Sequence, residues 1–224
     1  TPCNYNDHLE QLQAVDWIIE VIVEKLEIKS ELYKKILPFL KPEAIISSNT
    51  SGLLIGDILQ GMPEKFKRQF LVTHFFNPPR YMHLLEIVPG RTTRPEIVKT
   101  IVQLGEDVLG KGIVVAKDTP NFVANRIGIF SMMLALKLTR EMKLTVEEVD
   151  QLTGSVIGHP KSATFRTADL VGIDTLAHVA QTSYQKAPQD EARQLFQIPE
   201  ILLKMLANKW LGAKTGKGFY QKVD

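Results

Sequence analysis

The sequence predicts an open α/β sheet, largely parallel, followed by an all-helical domain. Three observations carry that prediction. Short β-branched apolar runs alternate with helical patterns up to about residue 117, as strands and crossover helices do in βαβ units. After KDTP (117–120) no strand pattern returns until GFY at 218–220. Between those points the apolar residues keep the period of amphipathic helices. The boundary is therefore set near residue 117, giving domains 1–117 and 118–224.

Each element has its own signal. WIIEVIV (17–23) is nearly all apolar and β-branched, the composition of a strand buried on both faces. EKLEIKSELYKKILPFL (24–40) carries apolar residues at helical spacing. AIISS (44–48) is a short strand ending in the polar turn NTSG, before a helix around 53–60. QFLVTHFF (69–76) and LLEIV (84–88) are two more strands, followed by a helix at 95–109 and the strand GIVVAK (112–117). Pro120 suits a helix start, where its missing N–H costs nothing, so the long apolar stretch 121–142 is expected to be a helix central to a bundle or interface. Thr145 with Glu148 three residues later makes a capping box for a helix over 145–158. Further helices are expected at 174–186 and 199–208, and a last strand at GFY.

Bulk composition narrows the function. The 224 residues are 44% hydrophobic and 23% charged, with a formal net charge of +2, the balance of a globular protein with a sizeable core. No long basic run supports a nucleic-acid or membrane-surface partner. No apolar stretch reaches the roughly 18 residues of a membrane span, and no signal peptide is visible. The single cysteine, Cys3, rules out an internal disulfide framework and fits a reducing compartment. A cytoplasmic location and no metal are expected. The chain opens on TPCNYNDH without an initiator methionine, which suggests a piece of something longer.

Ligands of open α/β sheets sit beyond the carboxyl ends of the strands, and three strands here end in polar residues. WIIEVIV runs into Glu24, AIISS into SNTS (48–51), and QFLVTHFF delivers His74 and then Asn77. Each cluster alone is ordinary turn chemistry; their coincidence at strand ends is what points to a site. Glu86 lies inside the apolar run LLEIV on the strand that follows His74. The two side chains are therefore in reach of one another. A carboxylate that holds one imidazole nitrogen leaves the other as a general base and stabilises the imidazolium it becomes. Taken singly, a satisfied core histidine and a solvated edge glutamate are the plainer readings. The usual phosphate cradle is missing: no GxGxxG follows a strand, and neither GKG (110–112) nor GAKTGKG (212–218) leads into a helix. The residues by themselves stop at an α/β-plus-α protein with a candidate His–Glu base.

The ordered set IIEVIVEKLEIK (18–29), SSNTSGL (47–53), THFFNP (73–78), LLEIV (84–88), KDTPNFVANR (117–126), VGIDT (171–175) and KTGKGFY (214–220) resembles the L-3-hydroxyacyl-CoA dehydrogenase family over essentially the whole chain. The resemblance implies a Rossmann-type NAD-binding domain, N-terminally incomplete here, followed by a helical domain that makes a dimer. It implies oxidation of a (3S)-3-hydroxyacyl-CoA to the 3-oxoacyl-CoA in fatty-acid β-oxidation, with hydride passing to NAD. Carried over by motif, His74 is the base, Glu86 orients and charge-stabilises it, and Ser51 lies by the nicotinamide and the substrate oxygens. Asn125 reaches the reacting oxygen and Asn77 helps to place the nicotinamide. Glu24 and Lys29 lie beside the ribose and nicotinamide, and Lys214 approaches the cofactor.

Two departures qualify the resemblance. The family's first strand, glycine loop and ribose-binding acid are not among these residues, so a fragment lacking about the first mononucleotide half is expected, with weak or absent activity of its own. The stretch GHPKSATFRTADLVGID (158–174) brings in Lys161 and Arg166, suggesting a divergent branch fused to or associated with an enoyl-CoA hydratase part. A competing reading is a non-catalytic module that binds acyl-CoA or only dimerises. A third, a β-hydroxyacid dehydrogenase with a KxxN pattern on its long helix, is disfavoured because NFVANR has no lysine in that register.

Overall fold

The computed structural model describes residues 2–4 and 6–222. It divides into two compact units, Thr1–Phe122 and Val123–Asp224. The first unit is a five-stranded sheet in the order β1 (Trp17–Glu20), β2 (Ile45–Ser48), β3 (Phe70–Phe75), β4 (Leu84–Pro89) and β5 (Gly112–Val115). Three of its four pairings are parallel, and β3 with β4 is antiparallel. The largely parallel sheet expected from the alternation is therefore present, with one hairpin inserted.

Helices cover both faces. Tyr33 and Ile36 from α1 (Leu26–Ile36), Ile55 and Ile58 from α2 (Ile55–Ile58) and Phe66 from α3 (Glu64–Gln69) pack on Ile46, Phe70, Val72 and Val88. The rings of Tyr33, Phe66 and Phe70 meet pairwise at 5.4–5.8 Å, geometry that adds roughly 0.5–1.5 kcal/mol per pair to simple burial. The other face carries Leu71, Leu85 and Ile87 against Ile97 and Ile101 of α4 (Pro95–Asp107).

Three expectations about this unit are corrected. WIIEVIV is not a strand buried on both faces: β1 ends at Glu20, and Ile19, Val21 and Val23 are 39%, 69% and 54% exposed. The cause is local. The Glu20 carboxylate accepts the Ile22 N–H at 2.6 Å and turns the chain out of the sheet; among the described residues β1 pairs with β2 alone. The first helix is shorter than 24–40, because Pro38 falls in a 3-10 turn over Leu37–Phe39 that ends it. Pro120 does not open the long helix either. Asn121 and Phe122 follow it with φ of 62° and 48°, and helix α5 begins only at Ala124.

The second unit holds α5 (Ala124–Met142), α6 (Val146–Thr153), α7 (Phe165–Val171), α8 (Ile173–Lys186) and α9 (Glu200–Ala207). Ile129 and Met133 of α5, Leu176 and Ala180 of α8, and Leu202 and Met205 of α9 form its core with Phe196. The capping box at Thr145 is complete: its hydroxyl accepts the Glu148 N–H, and the Glu148 carboxylate accepts the Thr145 N–H. Asp150 of α6 does the same for the next helix, its carboxylate accepting the N–H groups of Thr164, Phe165 and Arg166. The expected strand at GFY is not one. Residues 212–221 form a tight turn with two isolated bridges, Gly212 to Lys217 and Lys217 to Gln221.

Candidate active site

The carboxyl ends of β1, β2 and β3 and the start of β4 meet along one edge of the sheet. That meeting follows from topology: β4 runs antiparallel, so its first residues lie where the parallel strands end. His74 and Glu86 are direct partners in the β3–β4 ladder. Side chains of opposed residues share a face, and here Nδ1 of His74 lies 2.7 Å from Oε2 of Glu86. Both residues are buried, at 4% and 0% exposure. A carboxylate oxygen is an acceptor, so Nδ1 donates to Glu86 and Nε2 is the nitrogen turned towards Ser51. Ser51 Oγ lies 3.1 Å from Nε2. The imidazole is further fixed by Phe76 and Phe122, whose ring centroids are 4.4 and 5.7 Å away.

The turn that presents Ser51 is built from its own neighbours. The Asn49 side-chain oxygen accepts the Phe75 N–H at 2.8 Å, joining the end of β2 to the end of β3. Thr50 is fully buried; its hydroxyl donates to Glu24 and accepts the Leu53 N–H. Glu24 also accepts the Ser51 N–H at 3.0 Å. Behind it stands Lys29, 1% exposed, bonded to both Glu20 oxygens at 2.8 and 2.9 Å and lying 3.4 Å from Glu24. Tyr33 and Ser48 complete that network by donating to Glu20. Burial first, and then the Glu20 charge, push the Tyr33 phenol well above its ordinary range.

His74, Glu86 and Ser51 are thus brought together, with Glu24 and Lys29 beside them. Lys29 is enclosed rather than presented to a ligand, since its ammonium is held by Glu20, Glu24 and the Ile22 carbonyl. Asn77 is exposed in the loop after β3. Asn125 lies in the first turn of α5 and Lys214 in a turn of the second unit. The Lys214 ammonium sits 2.6 and 2.7 Å from the two oxygens of Asp174 and holds that carboxyl below its usual range. Sequence reasoning missed the supporting residues Glu20 and Phe122, and took Asn49 and Thr50 only as part of the polar turn SNTS (48–51). Glu20 carried a readable signal, the same lone acid in an apolar strand that singled out Glu86.

A dinucleotide fits this edge in part. Glu24 keeps 42% of its side chain exposed and offers a carboxylate to sugar hydroxyls, next to the Ser51 hydroxyl. For a pyrophosphate, the described residues provide no glycine-rich strand–turn–helix, and no group of three or more His, Cys, Asp or Glu among them is placed to hold a metal.

An open α/β sheet with a buried His–Glu pair at the carboxyl ends of its parallel strands, followed by a helical unit, is the class that fold and site define: a Rossmann-type domain with a helical C-terminal unit. Residues 1–119 match the family model described as 3-hydroxyacyl-CoA dehydrogenase, NAD binding domain, and residues 122–222 match its C-terminal domain. The chain belongs to the 3-hydroxyacyl-CoA dehydrogenase family. It is 50% identical over 222 residues to a probable 3-hydroxyacyl-CoA dehydrogenase of Bacillus subtilis, covering 99% of this chain and 28% of that protein. With a protein of the same description from Deinococcus radiodurans it shares 47% identity, covering 98% and 63%. The crystal structure of (S)-3-hydroxybutyryl-CoA dehydrogenase from Ralstonia eutropha matches with a TM-score of 0.86 at 29% identity, over 96% of this chain and 74% of that one. The chain therefore spans between about a quarter and two thirds of those two curated relatives.

Proposed function

We propose that this chain is the part of a 3-hydroxyacyl-CoA dehydrogenase that carries the proton-transfer machinery, with His74 as general base. The observation that carries the reading is the alignment of the buried Glu86–His74 pair with the exposed Ser51, 2.7 Å on one side of the imidazole and 3.1 Å on the other. Nε2 takes the proton of the substrate's 3-hydroxyl as C3 becomes a carbonyl. Bound NAD supplies the acceptor for the hydride that leaves C3. Glu86 keeps the ring in the tautomer that exposes the Nε2 lone pair, and its charge offsets the imidazolium formed on proton transfer. The Ser51 hydroxyl holds the substrate oxygen near Nε2, and Glu24 takes ribose hydroxyls while Lys29 holds Glu24 in place. Asn77, Asn125 and Lys214 enter this reading through the family resemblance.

The substrate is a (3S)-3-hydroxyacyl-CoA and the setting is β-oxidation in a reducing, cytoplasmic compartment. The Bacillus relative's greater length supports further parts in the whole protein, and a relative described as a putative fatty acid oxidation complex trifunctional enzyme supports a hydratase among them. A homodimer through the helical unit is supported by the apolar residues that α5 leaves uncovered, Ile127, Phe130, Leu138 and Met142 at 37–63% exposure. The test is His74→Gln in the whole protein. The expected kcat falls by about 10²–10⁴, the usual worth of a general base, with KM little changed. An unchanged kcat overturns the assignment.

A further inference from the structure

The second unit contains a cavity of about 550 Å3 that the reaction above does not use. It lies between α7 with its preceding segment and the C-terminal turn, and its size falls within the roughly 300–1,000 Å3 of small-molecule sites. Its walls are fixed. The Asp169 carboxylate accepts the Phe219 and Tyr220 N–H groups at 2.8 and 2.9 Å. Phe219 packs on Phe165 at 4.6 Å, and the Tyr220 hydroxyl donates to Asp150 at 3.0 Å. Gly212 and Gly218 press the turn so closely on Asp169 that a Cβ at either would meet it at 2.0–2.2 Å.

Three cations line this cavity: Lys161, Arg166 and Lys222. Among the described residues none of them lies within ion-pair distance of a carboxylate. Asp169 also lines the space, but both its oxygens are taken by backbone N–H groups. The Arg166 guanidinium lies 5.1 Å from the Tyr220 ring centroid, which occupies that ring face. The remaining lining is Leu170, Ala213, Ser162 and glycine. The backbone groups of the turn are used internally, Gly212 with Lys217, Gly216 with Ala213 and Lys222 with Gly216. A sugar or base would find few polar partners there and no open aromatic face, whereas an aliphatic chain needs neither.

We propose that this cavity binds an amphiphilic carboxylate, with its anionic head on Lys161, Arg166 and Lys222 and its aliphatic tail over Leu170, Ala213 and the edge of Tyr220. Charge selects the head, and the apolar wall selects the tail. The site is separate in residues from the His74 edge, so the inference stands or falls independently of the proposed activity.

Decanoate titrated into the 224-residue chain by calorimetry tests it. Saturable binding with a submillimolar Kd is expected, weakening with added salt. Decanol, which lacks the charge, and inorganic phosphate, which lacks the tail, should each bind about tenfold more weakly or not at all. Two variants locate the site: Lys161→Glu with Arg166→Gln removes the head contacts, and Leu170→Asp, at a side chain 69% exposed and free to change without unfolding, spoils the tail contact. Each should raise Kd about tenfold, with the circular dichroism melt unchanged. The proposal is overturned by absence of saturable binding below about 1 mM, or by a Kd unchanged from the parent chain in either variant. Sedimentation with phosphatidylglycerol vesicles without binding of monomeric decanoate would overturn it too, pointing to a membrane surface.

Discussion

At the scale of single residues, the imidazole of His74 is held from four directions: by Glu86, Ser51, Phe76 and Phe122. One of those supports carries strain. Phe122 adopts φ 48°, a left-handed conformation that costs a non-glycine residue roughly 1–3 kcal/mol, and its burial at 3% exposure in the core offsets that cost. Glu86→Gln keeps the shape but removes the charge opposite Nδ1, and an amide that turns its NH2 group there reverses the tautomer. In the whole protein kcat should fall by about 10² or more, with KM for the acyl-CoA near its original value; a pure KM effect would make Glu86 a structural residue. Tyr220 gives a residue-scale pH prediction. Burial first, then its bond to Asp150, push its phenol from 10.0 up to about 12. The folded chain holds that proton more tightly than the unfolded one. The contribution is complete below pH 10 and fades as pH rises towards 12. Melts recorded at pH 9 and 11 should therefore show a smaller alkaline loss of Tm in Tyr220→Phe than in the parent. An equal loss in both would remove Tyr220 as its source.

At the scale of elements, local chemistry decides what a reader of the sequence could find. The capping box at Thr145 was legible because its two bonds join residues three apart. Thr145→Ala should cost about 1 kcal/mol in chemical denaturation, and a change near zero would mean the helix start is held by other contacts. The His74–Glu86 pair was legible for a related reason: alternation along two neighbouring strands decides which side chains share a face. The end of β1 was not, since WIIEVIV reads as continuous strand and only the bond from the Ile22 N–H back to Glu20 stops it. The helix start after Pro120 was misread because the left-handed turn at Asn121 and Phe122 is stabilised by burial of the Phe122 side chain, a tertiary cause. GFY reads as a strand, yet Asp169, some fifty residues earlier in the chain, takes the N–H groups a neighbouring strand would need. Partners distant in sequence account for the last two misses. The buried Glu20–Lys29–Tyr33–Ser48 network is of the same kind, for each member looks ordinary alone.

At the scale of the whole molecule, two properties follow from what the surfaces expose. The uncovered apolar side of α5 predicts an isologous dimer, and sedimentation that finds a monomer at concentrations near the usual tens-of-micromolar range for a stable homodimer would count against it. Among the described residues, no glycine-rich strand–turn–helix offers backbone N–H groups to a pyrophosphate. Without two or three such charge-assisted bonds, each worth roughly 1.5–3 kcal/mol, these 224 residues should bind NAD about 10³-fold more weakly than a dinucleotide domain that makes them; micromolar binding in calorimetry would contradict this placement of the cofactor. The antiparallel β3–β4 pair has a wider consequence. Because His74 and Glu86 are ladder partners, their separation is set by the sheet's own hydrogen bonds and not by the segment between them, 76–83. Beyond Phe76, whose ring packs on the imidazole, and Asn77, that segment can lengthen, shorten or change composition while the His74 and Glu86 side chains stay 2.7 Å apart. Under the proposed function, change in residues 78–83 is thereby uncoupled from proton transfer at the His74–Glu86 pair.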